Sequence, residues 1–372
     1  MNFIPVNKPL ITKADIDKVN KTLKSGWISS SGKEIVAFEK NFSKYVNHKF
    51  GIAVANGSAA LDIAIKLANL KKNDEIIIPN FTIISNALPG IKQGLKIKVV
   101  DCDMYDWNLN IEKLKKTITK KTKVIIATHI YNYPCRVDII KRICDQKNIL
   151  LIEDCAEAIG QKIFNKKCGS FGHISVFSFY ANKQITTGEG GMITTNSKLF
   201  EKKARSLRNL SFGVKNRFNH TDVAWNYRLT NIQASLGLSQ LQRVNTIIKK
   251  RHRVGKLYYE KLKSNKNIFM PSPKNKFSKN IYWVIAILIL NKNLKIDNIK
   301  AAKKLRKFGI ETRPFFWPMH KQKVLKDYDF YNSDKYKNSD YISKYGFYLP
   351  SSLNLTVSEI GYVCRKVNQI FK

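Results

Sequence analysis

Apolar positions along the first half of the chain follow two alternating rhythms. Lys13–Leu23, Ile35–Val46, Ala59–Ala68, Ser85–Gln93, Ile111–Thr117 and Asp138–Gln146 repeat their apolar residues every three or four positions, the spacing of a helix that buries one face. Between them lie short runs that are almost wholly apolar: Gly51–Ala55, Glu75–Pro79, Ile97–Val100, Val124–Thr128, Leu150–Glu153 and Ile174–Phe179. Strands this apolar must be covered on both faces. Interleaved with helices, they predict an α/β fold with a mostly parallel central sheet.

Beyond Lys183 the rhythm changes. Ile232–Tyr259 reads as one long helix or two joined, and Pro271–Lys279, with two prolines and several lysines, as a linker or surface loop. Ile281–Leu290 then predicts a strand, Asn298–Lys307 a helix and Val357–Phe371 a C-terminal helix, together a smaller α+β unit. The expected division is 1–250 and 251–372.

A chain of 372 residues can bury a sizeable core in about two such units. Its formal net charge of +39 is unusual, but the lysines are spread along the whole length. That distribution fits a lysine-rich solvated surface, and also the attraction of polyanionic substrates such as nucleotide diphosphates. A basic nucleic-acid-binding protein is the rival reading from charge alone; it lacks a recognised binding module or a clustered basic face. The six cysteines form no C-x-x-C pair, so no metal site is expected and the thiols should be reduced. Ile281–Leu290 is too short to span a bilayer and the first residues lack a signal peptide's apolar core, so the expectation is a cytoplasmic protein with no membrane or nucleic-acid partner.

Three motifs carry candidate chemistry. Asn56–Leu61, NGSAAL, falls between a strand and a helix, where free N–H groups at the helix start make an anion site; it also reads as a plain helix start capped by Ser58. Glu153–Ala158, EDCAEA, follows the strand LLIE, which puts Asp154 at a carboxyl end of the sheet, where ligands lie in open α/β folds; a helix-capping role is the alternative. Ser178–Met192, SFYANKQITTGEGGM, puts Lys183 between an apolar strand and a glycine-rich turn. A lysine that reacts with carbonyl groups needs such surroundings.

In this order the motifs resemble those of the DegT/DnrJ/EryC1/StrS family of sugar aminotransferases, over most of the chain from Gly26 to His320. The resemblance implies the type I fold of pyridoxal 5'-phosphate (PLP) enzymes, with residues 1–250 as the PLP-binding domain and 251–372 as the small C-terminal one. It makes Lys183 the catalytic lysine that joins the cofactor. Gly57, Ser58, Ala59 and Ser178 become phosphate contacts, Asp154 the partner of the pyridine nitrogen, and Glu157 a neighbour of the ring's hydroxyl side. Asn226, in WNYRLTNIQAS, would reach the phosphate from the neighbouring subunit of a homodimer with shared active sites. Ile83 stands where many relatives place an aromatic ring over the cofactor, and Asn132 where glycine is usual. The family's dehydratase branch carries histidine in place of the lysine, so Lys183 argues for amination.

GWISSSG, Glu157, TTGEGGM and GIETRPFFWPMH look closest to the branch that acts on GDP-linked 4-keto-6-deoxy sugars for surface polysaccharide. That likeness implies GDP-4-keto-6-deoxymannose as acceptor and L-glutamate as donor, with another nucleotide-linked keto sugar as the alternative. Ser29, Ser30 and His320 are the expected contacts to sugar hydroxyls, and Arg228 and Arg313 those to the diphosphate, because guanidinium forks match phosphate oxygens. His220 and the segment around Phe218 are further candidate contacts.

Overall fold

A computed structural model describes residues 3–372. Its strands are β1 (Phe50–Val54), β2 (Glu75–Pro79), β3 (Lys96–Val100), β4 (Thr122–Thr128), β5 (Leu150–Asp154), β6 (Lys162–Ile163), β7 (Lys166–Lys167), β8 (Ile174–Ser178), β9 (Gly191–Thr195), β10 (Ile268–Phe269), β11 (Ile285–Ile289), β12 (Arg313–Pro314) and β13 (Gly346–Leu349). The helices of the first part are α1 (Lys13–Lys24), α2 (Lys33–Tyr45), α3 (Gly57–Leu67), α4 (Leu88–Lys92), α5 (Ile111–Thr117), α6 (Val137–Gln146), α7 (Lys198–Leu207) and α8 (Asn231–Gln242). They are followed by α9 (Val244–Leu262), α10 (Asn298–Arg306), α11 (Lys337–Tyr345) and α12 (Val357–Ile370).

Seven strands form the central sheet in the order β1-β9-β8-β5-β4-β2-β3. Alternate residues of each strand feed opposite cores. Ile77, Ile125 and Leu151 pack with Phe38 and Phe42 of α2 and Ile140 of α6. Ile76, Ile78, Val124, Ile126 and Ile152 pack with α3 and with Ala204 and Leu207 of α7. This two-sided burial is what the continuous apolar runs predicted.

The strands β3, β2, β4, β5 and β8 are parallel neighbours, whereas β9 runs antiparallel to both β8 and β1. The reason is the connection Phe179–Gly190, which contains no crossover helix and turns back with Gly188 at φ 80°. Lys183 lies on that connection.

One expected element divides, and the stretch read as one long helix or two joined is two. Ser85–Gln93 becomes a 3-10 turn, Ile84–Asn86, and then α4, because Pro89 has no N–H with which to continue one helix from Ser85. Ile232–Tyr259 becomes α8 and α9, broken at Arg243, whose guanidinium pairs with the buried Asp15 of α1. The 250/251 division falls inside α9. Its Val244 belongs to the core of the large sheet, whereas Val254, Tyr258 and Leu262 belong to a separate core beneath the four-stranded sheet β10-β11-β13-β12.

Glu39 of α2 ties the edge strand β1 into this frame. Its carboxylate accepts from the Ala53 N–H at 2.9 Å, from Arg205 at 2.7 Å and from Arg208 at 2.5 Å. Glu39→Ala leaves the buried Ala53 N–H without its acceptor and takes a carboxylate from Arg205 and Arg208, which keep Glu201 and the Gly51 and Ala53 carbonyls. The expected loss is roughly 2–4 kcal/mol, read from the urea midpoint at unchanged m-value.

Candidate active site

A cleft of about 490 Å3 opens at the carboxyl ends of β5 and β8, with walls that also include Trp283, Phe316 and Tyr348 from around the smaller sheet. One wall is the start of α3. Asn56 caps this helix, its side chain accepting from the Ala59 N–H at 2.8 Å. Ser58 is therefore not the cap; its hydroxyl lies 2.7 Å from that of Ser85. The Ser178 hydroxyl is on the same wall, and a Cβ on Gly57 would come within 3.1 Å of the Ser178 Cβ. Hydroxyls beside the positive end of a helix suit a phosphate group.

Asp154 closes β5 and is buried. It accepts from Asn86 Nδ2 at 2.9 Å and from the Ala156 N–H at 3.0 Å, and no α-helix follows for it to cap. Burial raises its pKa, so a cationic partner in the cleft would stabilise its ionised form. Glu157 lies in the same wall, with Oε2 accepting from the Tyr131 N–H at 2.8 Å. Burial pushes its carboxyl up to about 8, against the opposing pull of Lys183.

Lys183 faces these carboxylates. Burial lowers its pKa, opposed by the charges of Glu157 and Asp154. Its ammonium rests 3.8 Å from the centre of the Trp283 ring, a cation–π contact. Trp283 also donates from Nε1 to the Asn182 carbonyl at 3.0 Å, while the buried Arg251 donates to the Trp283 carbonyl at 2.8 Å. The sequence reading missed both residues. The expected strand 281–290 begins only at Ile285, because Asn280–Val284 forms a turn in which Tyr282 has φ 50°, and that turn delivers Trp283 to the cleft. Phe316 and Tyr348 complete the apolar cover. Tyr131 lies behind it, stacked on Phe316 at 5.1 Å and on Trp283 at 5.9 Å.

Of the expected residues, Gly57, Ser58, Ile83, Asp154, Glu157, Ser178 and Lys183 line this one cleft; Ile83 is 44% exposed there. Ala59 lies just behind the wall in α3. Asn226 and Ser29 are elsewhere on the surface. Asn226 accepts from Arg228 at 2.7 Å, and Ser30 and Arg228 line a separate cavity with Arg205, Arg208 and Arg217. Arg313 is exposed on β12 beside Glu311, paired in register with Tyr348. His320 is a correction. It is 0% exposed, with Nδ1 2.9 Å from Asn80 and its ring against Tyr336, so no hydroxyl in the cleft can reach it. His220 and Phe218 lie on the exposed 211–223 loop, where His220 contacts the Leu210 carbonyl. Asn132 is buried, with neither amide atom bonded among the described residues.

His129, Glu153 and Cys168 cluster behind the cleft. Glu153 already accepts from His129, from the N–H groups of Gly169, Phe171 and Gly172, and from Ser175. These bonds hold a carboxylate that burial alone would push up below its ordinary range, and make it a strut for the 169–172 loop.

A half-buried lysine on a strand-to-strand turn, a carboxylate at the end of the central sheet and a hydroxyl-lined helix start define the class: a PLP enzyme of fold type I. The model of the DegT/DnrJ/EryC1/StrS aminotransferase family matches residues 9–368, and the chain belongs to that family. It is similar to the GDP-perosamine synthase of Escherichia coli O157:H7, 33% identical with 100% of this chain and 99% of that one covered. It is also similar to the GDP-perosamine synthase of Caulobacter vibrioides, 36% identical with 99% and 98% covered. In structure it resembles Helicobacter pylori PseC, an aminotransferase involved in the biosynthesis of pseudoaminic acid, with a TM-score of 0.92 at 24% identity, covering 100% of this chain and 99% of that one. The cofactor is pyridoxal phosphate.

Gly191 of β9 abuts the phosphate wall: a Cβ there would lie 2.4 Å from the Asn56 carbonyl oxygen and 3.0 Å from the Gly57 nitrogen. Gly191→Ala should displace the start of α3 and weaken cofactor binding about tenfold, measured by titrating apoprotein with PLP. The second prediction concerns Glu157, whose folded pKa of about 8 stands above its usual 4.5. The folded chain therefore holds a proton that the unfolded chain releases in that window. This contribution to stability is fully present at low pH and lost as pH rises through about 8. Glu157→Gln mimics the neutral form and escapes the loss. Wild type should lose roughly 2–3 kcal/mol relative to the variant between about pH 6 and 8.5, measured by denaturation of apoprotein.

Proposed function

We propose that this protein transfers an amino group from L-glutamate to the C4 keto carbon of GDP-4-keto-6-deoxymannose, giving GDP-perosamine for a surface polysaccharide. The observation that carries the reading is full-length identity of 33–36% to GDP-perosamine synthases, together with Lys183 in the cleft. The reaction would run in two halves: glutamate leaves as 2-oxoglutarate, and the keto sugar then takes up the nitrogen. The protein would act in the cytoplasm.

Residues 1–250 would hold the cofactor, and 251–372 would supply the cover through Trp283, Phe316 and Tyr348. Pyridoxal phosphate supplies an electron sink and carries nitrogen between the two substrates. The start of α3, with Ser58 and Ser178, would bind its phosphate. Asp154 would hold a proton at the pyridine nitrogen, and Glu157, fixed by the Tyr131 N–H, would face the ring's hydroxyl side. Ile83 would press on the ring as an aliphatic contact. Lys183 would join the cofactor at rest and, once free, move the proton at the substrate carbon. Burial lowers the pKa of its amine, the direction a base requires. The aromatic cover excludes water.

The working unit in this reading is a homodimer. Asn226 does not line its own chain's cleft and would serve the neighbour's phosphate; Ser29, Ser30 and Arg228 would act with it toward the substrate there. Arg313, beside Tyr348 at the small sheet's edge, would take the substrate diphosphate.

The test mixes enzyme, PLP, glutamate and GDP-4-keto-6-deoxymannose and looks for an amino sugar by mass. Wild type should form it, and Lys183→Ala should lose at least about a thousandfold in turnover while still binding PLP noncovalently. Near-normal amination by Lys183→Ala would remove the lysine from its role. Amination of a dTDP- or UDP-linked sugar alone would keep the chemistry and discard the GDP assignment.

A further inference from the structure

Two cavities of equal size, about 660 Å3 each, lie away from the cleft. The first follows the edge strand β3, and its lysines are offset by Asp327 and Asp329. The second lies between the β6–β7 hairpin, α9 and the loop 274–279. Lys162, Lys167, Lys249, Lys274, Lys276 and Lys279 line it, and no carboxylate does. Among the described residues none of the six is in a salt bridge. Lysines are common on this chain, but the first cavity shows that size and lysine content do not by themselves exclude acids. In the second, no acid lies among the lining residues, and the Lys167 ammonium rests over the Tyr45 ring instead.

Burial, with charge added to it, acts on the groups nearby. Burial and then the charge of Lys162 lower the pKa of Lys167, whose ammonium is held on the Tyr45 carbonyl. Burial, with Lys279 adding to it, lowers that of His252 on α9. Asn275 offers a buried Nδ2 with no partner.

An aromatic face completes the lining. Phe164 stands at the hairpin tip with φ 45°, before Asn165 at φ 77°, and its side chain is 63% exposed. Two-residue turns with both central φ positive favour Asn and Gly, and a bulky exposed ring there is an outlier that local propensity does not explain. Phe277 faces it at 6.4 Å, and the Arg136 guanidinium lies 5.0 Å from the centre of the Phe277 ring.

We propose that this cavity binds a nucleoside diphosphate, with the phosphates on the lysines and the base against Phe164 and Phe277. None of its lining residues lines the cleft, so it is a second site. The volume suits a ligand of that size, and walls from three segments suit a small molecule better than an extended strand. The site is independent of which substrate the cleft takes.

The experiment is equilibrium dialysis of the PLP-loaded enzyme against GDP at fixed ionic strength, on wild type, the Lys274→Glu/Lys276→Glu double variant and Phe164→Asn. The double variant should bind one GDP fewer per chain, that site being weakened at least about tenfold. Phe164→Asn should weaken the same site about fivefold while the melting temperature stays level or rises, since Asn belongs in such a turn. The site should weaken with salt, and kcat and KM for amination should be unchanged in both variants. Equal GDP binding in all three proteins overturns the proposal. Pyrophosphate bound as tightly as GDP, with no effect of Phe164→Asn, removes the nucleoside. A single-stranded oligonucleotide bound far more tightly, and lost in the double variant, would assign the patch to nucleic acid instead.

Discussion

Lys183 can act as a base only if its ammonium gives up a proton readily, and it can be steered only if that charge is not lost to water. The cleft meets both demands by enclosing the amine between Glu157, Asp154 and the face of Trp283. Removal from water favours the neutral amine, and the carboxylates and the indole hold the cation in place when it forms. Glu157 responds in the opposite sense, its carboxyl pushed up toward about 8 by the same burial. The same removal from water thus shifts lysine and glutamate toward their neutral forms, which suits a site that moves protons.

Much of the surrounding structure serves to hold that arrangement. The glycine-rich return from Lys183 to β9 brings Gly191 against Asn56 so closely that no side chain fits between, which sets the distance between the lysine turn and the phosphate wall. Glu153, one residue before Asp154, pins the loop 169–172 with a full set of hydrogen bonds and so fixes the end of β5. From the other domain, Arg251 and Trp283 bond to backbone carbonyls around Asn182 and join the small sheet to the catalytic turn.

Charge on this chain has two distinct arrangements. At the edge strand β1, arginines and an acid are matched, where Glu39 receives Arg205 and Arg208. At the far side, between the hairpin and α9, lysines stand unopposed around aromatic rings. The same net charge thus produces rigidity in one place and an open demand for anions in another.

The sequence by itself determined the alternation of helices and strands, because two-sided burial imposes apolar runs that stay visible in one dimension. It also placed Lys183, Asp154 and the start of α3, since each is bound to a strand end whose position local pattern reveals. Tertiary structure alone decided the antiparallel return of β9, the break at Arg243 that follows its pairing with Asp15, and the burial of His320 behind Asn80. It alone brought Trp283 and Arg251 to the lysine, from about a hundred and about seventy residues away along the chain. Contacts of that span depend on how the two sheets and their cores meet, and no periodicity or local propensity of the chain carries that information.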